Sequence, residues 1–115
     1  MISAVLYREG KNYTGCRLKG HSGFAEAGND ICCAGASILT CTCVNAMESV
    51  LGIIPVINEE NPEKGILDFE LPSMTEEQNE KAQILMKTLE QGLQDLTLEY
   101  PQNVTLSIKE RRKQP

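Results

Sequence analysis

The sequence predicts an α+β fold, a two-layer sandwich in which two helices pack on one mostly antiparallel sheet. Short segments of alternating apolar and polar residues predict the strands. Two longer segments begin and end with helix signals and predict the helices. The order is strand, strand, helix, one or two strands, helix and strand. A single sheet with both helices on one face accounts for that order.

The composition is that of one globular domain. The chain has 115 residues and no internal linker or repeat, so we expect residues 1–115 to form a single domain. Its net charge of −5 argues against general nucleic-acid binding. We expect no signal peptide and no membrane span, because no stretch approaches ~20 apolar residues. The five cysteines form no disulfide framework, so we expect reduced thiols and a cytoplasmic protein.

The first two strands, residues 2–7 and 13–19, predict an antiparallel hairpin around a turn at residues 9–12. The loop that follows, residues 20–29, has no periodic pattern. The residues that share one face are Ile2, Ala4 and Leu6 in the first strand and Thr14, Cys16 and Leu18 in the second.

The first helix is predicted over residues 31–51, with Asn29 or Asp30 as its N-cap and Gly52 as its stop. Its 21 residues carry one charge, and small residues lie on every face. A helix that is apolar nearly all round is buried on more than one side, and the sheet covers only one. We expect a second subunit to cover the other side, in a homodimer. A loop or the second helix is the alternative cover.

The middle of the chain predicts a second hairpin. Residues 53–57 are interrupted by Pro55 and form at most a short or edge strand. Residues 58–65 predict a polar turn, and residues 66–71 alternate as a strand. The two strand segments are placed to pair across that turn.

The second helix is predicted over residues 76–96. Either Ser73 with Glu76 or Thr75 with Gln78 supplies its capping box. A last strand follows at residues 104–108. One apolar face is formed at three- and four-residue spacing by Ala82, Leu85, Met86, Leu89, Leu93 and Leu96.

His21 is the only histidine, and it directly follows the second predicted strand. Gly20 before it and Gly23 after it permit unusual backbone geometry. Imidazole is the side chain that titrates near neutral pH, where acid–base catalysis takes place. His21 is therefore a candidate general base.

Cys32 and Cys33 lie in the first turn of the first predicted helix. With Asp30 as the cap, Cys33 is the third helical residue, where unpaired N–H groups and the helix dipole stabilise a thiolate. The same N–H groups would hold an oxyanion during acyl transfer. A thiolate beside an imidazole makes a cysteine nucleophile with its base.

The remaining cysteines, Cys16, Cys41 and Cys43, are predicted to be small core residues. We expect no metal site, because four cysteines in the order CC…CxC on one helix do not converge and match no zinc spacing. A CxxC redox motif is absent as well. We expect no cofactor.

The block from Gly20 to Ser37 reads GHSGFAEAGNDICCAGAS and resembles the ribosomal-processing cysteine protease (Prp) family. The twelve-residue step from His21 to Cys33 is that family's spacing between its catalytic His and Cys. The positions that match are Gly20, His21, Ser22, Gly28, Asp30, Ile31, Cys33, Ala34 and Ser37.

The resemblance implies a homodimeric α/β sandwich and a bacterial cytoplasmic endopeptidase. It implies a substrate, the precursor of large-subunit ribosomal protein twenty-seven, whose N-terminal extension the family removes by cutting after a paired-aromatic motif. It also implies that Cys33 is the nucleophile, that His21 is its base, and that residues 22–29 cover the bound peptide. Asp30 would cap the helix or orient His21, and Ser37, one turn after Cys33, would support the pocket.

Two alternatives remain at this point. Cys32 stands where relatives usually carry an aliphatic residue, so two adjacent thiols share the helix start, and only one can face His21. The spacing favours Cys33 as the nucleophile and Cys32 as a buried apolar substitute. A non-catalytic ribosome-associated binding or assembly protein is the second functional hypothesis, and a small hydrolase or thiol transferase with the same dyad is a third.

Overall fold

The computed structural model describes residues 1–20 and 27–111, with residues 27–30 described by their backbone alone. Within these ranges one five-stranded sheet carries two helices. The elements are β1 (Ile2–Glu9), β2 (Asn12–Lys19), α1 (Ala27–Leu51), β3 (Val56–Asn61), β4 (Ile66–Glu70), α2 (Glu76–Glu99) and β5 (Val104–Glu110).

The strands lie in the order β3-β4-β2-β1-β5. Only the β1–β5 pair is parallel, and the three other pairs are antiparallel. Both helices contribute to one hydrophobic core with the strands, and they contact each other. The predicted α+β sandwich with a mostly antiparallel sheet is therefore confirmed.

In the β1–β2 hairpin, the predicted apolar face of each strand is the buried one. Ala4 lies opposite Leu18 and Leu6 opposite Cys16, and all four side chains are buried in the core beneath the helices. The turn between the strands uses Gly10 at a φ of 61°, a left-handed conformation that favours glycine.

The start of α1 differs from the prediction. The helix begins at Ala27, so Asp30 is its fourth residue rather than its N-cap, and Cys33 is its seventh. The segment before Asp30 is rich in residues that favour loops and caps, which is why the pattern indicates a later start. The end of the helix is as predicted, because Gly52 follows Leu51 at a φ of 69°.

One stripe of α1 faces the core, and much of the rest is exposed. The buried residues recur at three- and four-residue intervals: Cys32, Ala36, Thr40, Cys43 and Met47. Ile38 is 66% exposed and Val50 69% exposed on other faces of the helix. Among the described residues, Ile31–Leu51 is also long and apolar enough to cross a membrane by length and composition, with a mean hydropathy of 1.4. This corrects the expectation that no stretch reaches that threshold.

The second hairpin is confirmed, but its first strand lies further along the chain than predicted. β3 begins after Pro55 and runs to Asn61, so the first half of the predicted polar turn is strand and the turn itself is residues 62–65. β3 is one of the two edge strands of the sheet, where charged residues such as Glu59 and Glu60 stay exposed while the backbone pairs with β4.

α2 follows its sequence pattern closely. Of the two predicted capping boxes the structure has the one between Thr75 and Gln78, with bonds of 3.1 Å and 2.9 Å. The buried Gln83 side chain hydrogen-bonds both the N–H and the carbonyl of Tyr13, each at 2.8 Å, which ties α2 to β2. The predicted apolar face is buried at Ala82, Met86, Leu89 and Leu93 and half-buried at Leu85 and Leu96.

Candidate active site

Gly20 follows the end of β2 in a conformation that only glycine adopts easily. Its φ is +143°, and a Cβ at this position would meet the Met1 carbonyl oxygen at 2.5 Å and Ile2 Cα at 2.6 Å. Its N–H donates to the carbonyl of Gly65 in the β3–β4 turn, at 3.3 Å. Gly20 therefore lets the strand end, the chain start and the hairpin turn come together without a side chain between them.

Cys33 meets this point from the helical layer. Its Sγ donates to the Gly20 carbonyl at 3.9 Å, within the range of a sulfur hydrogen bond. The side chain is half-buried. The structure thus brings together two of the predicted site residues, Gly20 and Cys33, from a strand end and a helix that are separated in sequence.

The adjacent thiol, Cys32, points into the core and is fully buried. Burial raises the pKa of Cys32, and the neighbouring Cys33 raises it further. A raised pKa favours the neutral thiol, and burial removes the access that a peptide substrate needs. Cys32 is therefore placed as a buried apolar substitute, as the spacing from His21 favours.

Of the other three cysteines, two are buried in the core as predicted and one is exposed. Cys16 and Cys43 are core residues, as predicted, and burial raises the pKa of Cys16 to about 12 and that of Cys43 to about 11. Cys41 is exposed, so its predicted place in the core is wrong. The reason is helical phase, since Cys41 lies eight residues after Cys33 and shares its face, which borders a cleft rather than the core.

That cleft runs between α1 and the β3–β4 hairpin and has a volume of about 280 Å³. The helix lines it with Cys33, Ser37 and Cys41, one on each successive turn. Ser37 is therefore where the sequence predicts it, beside the thiol. Ala34, by contrast, is exposed and is not among the described residues that line the cleft. The described lining from the sheet and its turn is Leu18, Glu60, Pro62, Gly65, Ile66 and Leu67.

Several predicted site residues lie at or beyond the limits of the described chain. His21 and Ser22 are outside the described residues. Gly28 and Asp30 lie in the first turn of α1 by their backbone. Residues 27–29 are helical, so they are not part of a covering loop, and the rest of the predicted 22–29 cover is outside the described residues.

The early start of α1 also changes the electrostatics predicted for the thiol. The free N–H groups of a helix belong to its first four residues, and here these are residues 27–30. Cys33 lies six residues after Ala27 and three after Asp30, about 9 Å and 4.5 Å further along the axis at a rise of 1.5 Å per residue. The prediction that first-turn N–H groups at Cys33 hold the oxyanion is therefore wrong.

The sequence motif did not identify the opposite wall of the cleft. Glu60, Pro62, Gly65 and Leu67 belong to a hairpin far from the motif in sequence, and only the β2–β4 pairing brings that hairpin beside α1. The predicted second hairpin was the one available signal for this wall. Among the described residues, no group of three His, Cys, Asp or Glu side chains is placed to hold a metal ion.

A half-buried thiol on the wall of an apolar cleft suits covalent attack on a peptide.

Comparisons with known proteins also point to a cysteine protease. The family model for cysteine protease Prp matches residues 1–105. The ribosomal processing cysteine protease Prp of Bacillus subtilis is 30% identical over 109 residues, covering 93% of this chain and 96% of the relative. The Staphylococcus aureus protein of the same name is 34% identical over 108 residues, covering 94% and 97%.

Solved structures show the same architecture. A Streptococcus mutans protein superposes with a TM-score of 0.85 at 30% identity, covering 96% of each chain. The ribosomal processing protease Prp of S. aureus, in complex with a substrate peptide, superposes with a TM-score of 0.81 at 28% identity, covering 95% of this chain and all of that one. The same enzyme has also been solved with a covalently linked product peptide, with a TM-score of 0.78. This chain therefore belongs to the cysteine protease Prp family and is a cysteine protease.

Proposed function

We propose that this protein removes the N-terminal extension of bacterial large-subunit ribosomal protein twenty-seven, with Cys33 as nucleophile and His21 as general base. The observation that carries the assignment is the placement of Cys33. Its thiol is half-buried on the wall of a cleft and hydrogen-bonds the carbonyl of Gly20. That carbonyl belongs to the peptide bond that joins Gly20 to His21 in the sequence, which supports His21 as the base.

The reaction follows from the two groups. His21 accepts the Cys33 proton, and the thiolate sulfur attacks the scissile carbonyl carbon to form a tetrahedral oxyanion. Collapse of that intermediate breaks the C–N bond, and the imidazolium gives its proton to the leaving amine. The remaining thioester is hydrolysed by water, for which His21 again acts as base, and the free thiol is restored.

The substrate assignment rests on relatives. The B. subtilis and S. aureus proteins are named as ribosomal processing proteases, and the S. aureus enzyme binds a substrate peptide in its crystal structure. The cleft of this protein is mainly apolar, which suits a paired-aromatic cleavage motif. No aromatic residue is among the described residues that line it, so apolar side chains of the substrate would contact aliphatic groups.

The test is cleavage of a synthetic peptide that copies the extended N-terminus of the ribosomal protein. Wild-type protein should cut it after the aromatic pair, and Cys33→Ala should lower kcat/KM by a factor of about 10³ or more. Cys32→Ala is the matched control, because it removes the neighbouring thiol and should leave cleavage measurable. Cleavage by Cys33→Ala at the wild-type rate would exclude the assignment. Peptide binding without thiol-dependent cleavage would favour the non-catalytic ribosome-associated protein.

We also propose that the enzyme is a homodimer in the bacterial cytoplasm. The support for a dimer is the exposed apolar face of α1, with Ile31 at 55% and Ile38 at 66% exposure. The support for a reducing compartment is that all five cysteines are free thiols. Light scattering at micromolar concentration should give twice the mass of the chain, and Ile38→Glu should shift the protein toward monomer. A monomer for the wild type would contradict the dimer.

A further inference from the structure

One charged side chain stands out in the cleft beside Cys33. Apart from the thiols, Glu60 is the only ionisable group among the described residues that line it. The sheet and turn residues around it are aliphatic, proline or glycine: Leu18, Pro62, Gly65, Ile66 and Leu67. A single carboxylate among apolar neighbours favours a cation over an anion in a molecule that binds there.

A β-bulge turns Glu60 toward the cleft. The pairing of β3 with β4 shifts register between Ile57 and Glu59, so that Glu60 lies opposite Leu67. Without the extra residue, regular alternation would place Glu59 opposite Leu67 instead. Bulges near functional sites commonly redirect a side chain in this way. The register shift therefore selects which of two adjacent glutamates faces the site.

The two glutamates also differ in their partners. Glu59 lies on the other face of the sheet, where Arg17 binds it at 2.9 Å and also binds Asp68 at 3.1 Å. Glu60 is exposed and makes no ion pair or side-chain hydrogen bond to any described residue. Its carboxylate is thus available to a cation that a bound molecule supplies.

The helical wall of the cleft sets the length of chain it can contact. Cys33, Ser37 and Cys41 lie at four-residue intervals, so the lined part of α1 is about 12 Å long at 1.5 Å per residue. An extended peptide advances about 3.3 Å per residue, which gives three to four substrate residues along this wall. A substrate bound along this wall therefore places up to four residues in the cleft that Glu60 also lines.

We propose that Glu60 is a specificity-determining residue, which pairs with a lysine or arginine of the peptide within four residues of the scissile bond while an apolar substrate side chain occupies the cleft. The inference deepens the proposed protease function and rests on it. An ion pair at a partly exposed rim contributes modestly, so we expect a preference of about three- to tenfold in kcat/KM for a lysine over a glutamate at the recognised position.

The experiment uses synthetic peptides that copy the extended N-terminus of the ribosomal protein. Single lysine, glutamine or glutamate replacements are made at each of four positions on either side of the scissile bond. Wild type should prefer lysine at one or two positions. Glu60→Gln should abolish that preference, and Glu60→Lys should reverse it. Glu63→Gln is the matched control: this exposed glutamate of the neighbouring turn is not among the described lining residues, so the preference should remain.

A second measurement separates this inference from the protease assignment. Anisotropy of the same peptides, labelled with fluorescein, on Cys33→Ala reports binding without cleavage. Charge-independent cleavage that still requires Cys33 would overturn the role of Glu60 and leave the protease function intact. Absence of cleavage by wild type would overturn the protease function, and the binding data would then decide the role of Glu60. A lysine preference that persists in Glu60→Lys would also overturn the role of Glu60.

Discussion

The two helices pack on the same sheet and contact each other, yet they differ in almost every local feature. α2 begins at a complete capping box, buries one apolar stripe and exposes mainly charged and amide side chains, together with Ile84 and Leu98. α1 exposes Ile31, Ile38 and Val50, and it lines the cleft with two of its four cysteines. The exposed apolar side chains of α1 therefore lie on the helix that also borders the cleft.

This difference separates stability from function. In α2 the cap and the buried apolar stripe both follow the sequence pattern, as expected of an element that mainly holds the fold together. In α1 the composition and the exposure conflict, and local conflicts of this kind are expected where a protein binds or reacts. The conflict is found on the helix that carries Cys33 and borders the cleft.

Met86→Ala should have the largest effect on stability. Met86 is fully buried in the centre of α2, and truncation leaves a cavity that costs about 2–5 kcal/mol. Urea denaturation measures the loss, and kcat/KM measured where the variant is folded should stay within about twofold of wild type. Lys87→Ala, an exposed change on the same helix, is the control. A small stability loss with a large loss of activity would reverse the roles assigned to the helices.

Gly20→Ala should lower both stability and activity, because Gly20 follows the end of β2 and its carbonyl accepts the hydrogen bond from Cys33. The added Cβ has no room beside the Met1 carbonyl, and the backbone conformation is strained for alanine, which costs about 1–3 kcal/mol. Any shift of the Gly20 carbonyl also changes the hydrogen bond from Cys33. We expect activity to fall by more than the stability loss explains, as measured at a temperature where the variant is folded. Gly10→Ala, in the β1–β2 turn, tests for a general glycine effect.

α2 and the sheet could be predicted from the sequence because their signals are local. Capping boxes, strand alternation and Gly52 act through neighbouring residues, and these elements were correct to within a few positions. The start of α1 could not be predicted, since Ala27 to Asn29 adopt a helical backbone despite the ~1 kcal/mol cost of Gly28, and no local signal marks that start. The sequence likewise did not predict that Glu59 and Glu60 lie in a strand, because their pairing with β4 decides it.

For the candidate site, sequence alone named Gly20, Cys33 and Ser37, which share one short block; the structure hydrogen-bonds Cys33 to Gly20 and places Ser37 beside Cys33 in the cleft wall. It failed for the wall that β3 and β4 supply, because no local pattern encodes contact between distant segments. The exposure of Cys41 was missed for a similar reason. A nearly uniform apolar helix does not reveal which of its faces meets the core, and only the packing of α1 on the sheet shows it.

Thr75→Ala should lower stability by about 1 kcal/mol, the usual cost of losing an N-cap side chain. Its hydroxyl accepts from the Gln78 N–H at 3.1 Å, and no part of the cleft is lined by either residue. Thermal unfolding measures the change, and Ser73→Ala is the control because the structure does not use the Ser73 capping box. Equal losses from the two variants would contradict the observed cap.

Alkaline pH should destabilise the fold through buried neutral groups. The pKa of Cys16 rises from 9.0 to about 12 on folding and that of Tyr13 from 10.0 to about 12, chiefly because both are buried. A raised folded pKa means that the unfolded state ionises first, so this stability is present below pH 9 and is lost progressively up to pH 12. Urea midpoints should therefore fall from pH 8 to pH 11, and Tyr13→Phe should remove part of the fall above pH 10.

The central claim is that the Cys33 thiol performs the attack, and trapping the acyl-enzyme tests it most directly. The extension peptide is mixed with wild-type enzyme, the reaction is quenched in acid, and intact-mass and fragment spectra locate any adduct. We expect the N-terminal product fragment to be bound as a thioester to Cys33, and no adduct in Cys33→Ala. An adduct on Cys32 or Cys41, or steady cleavage by Cys33→Ala, would contradict the claim.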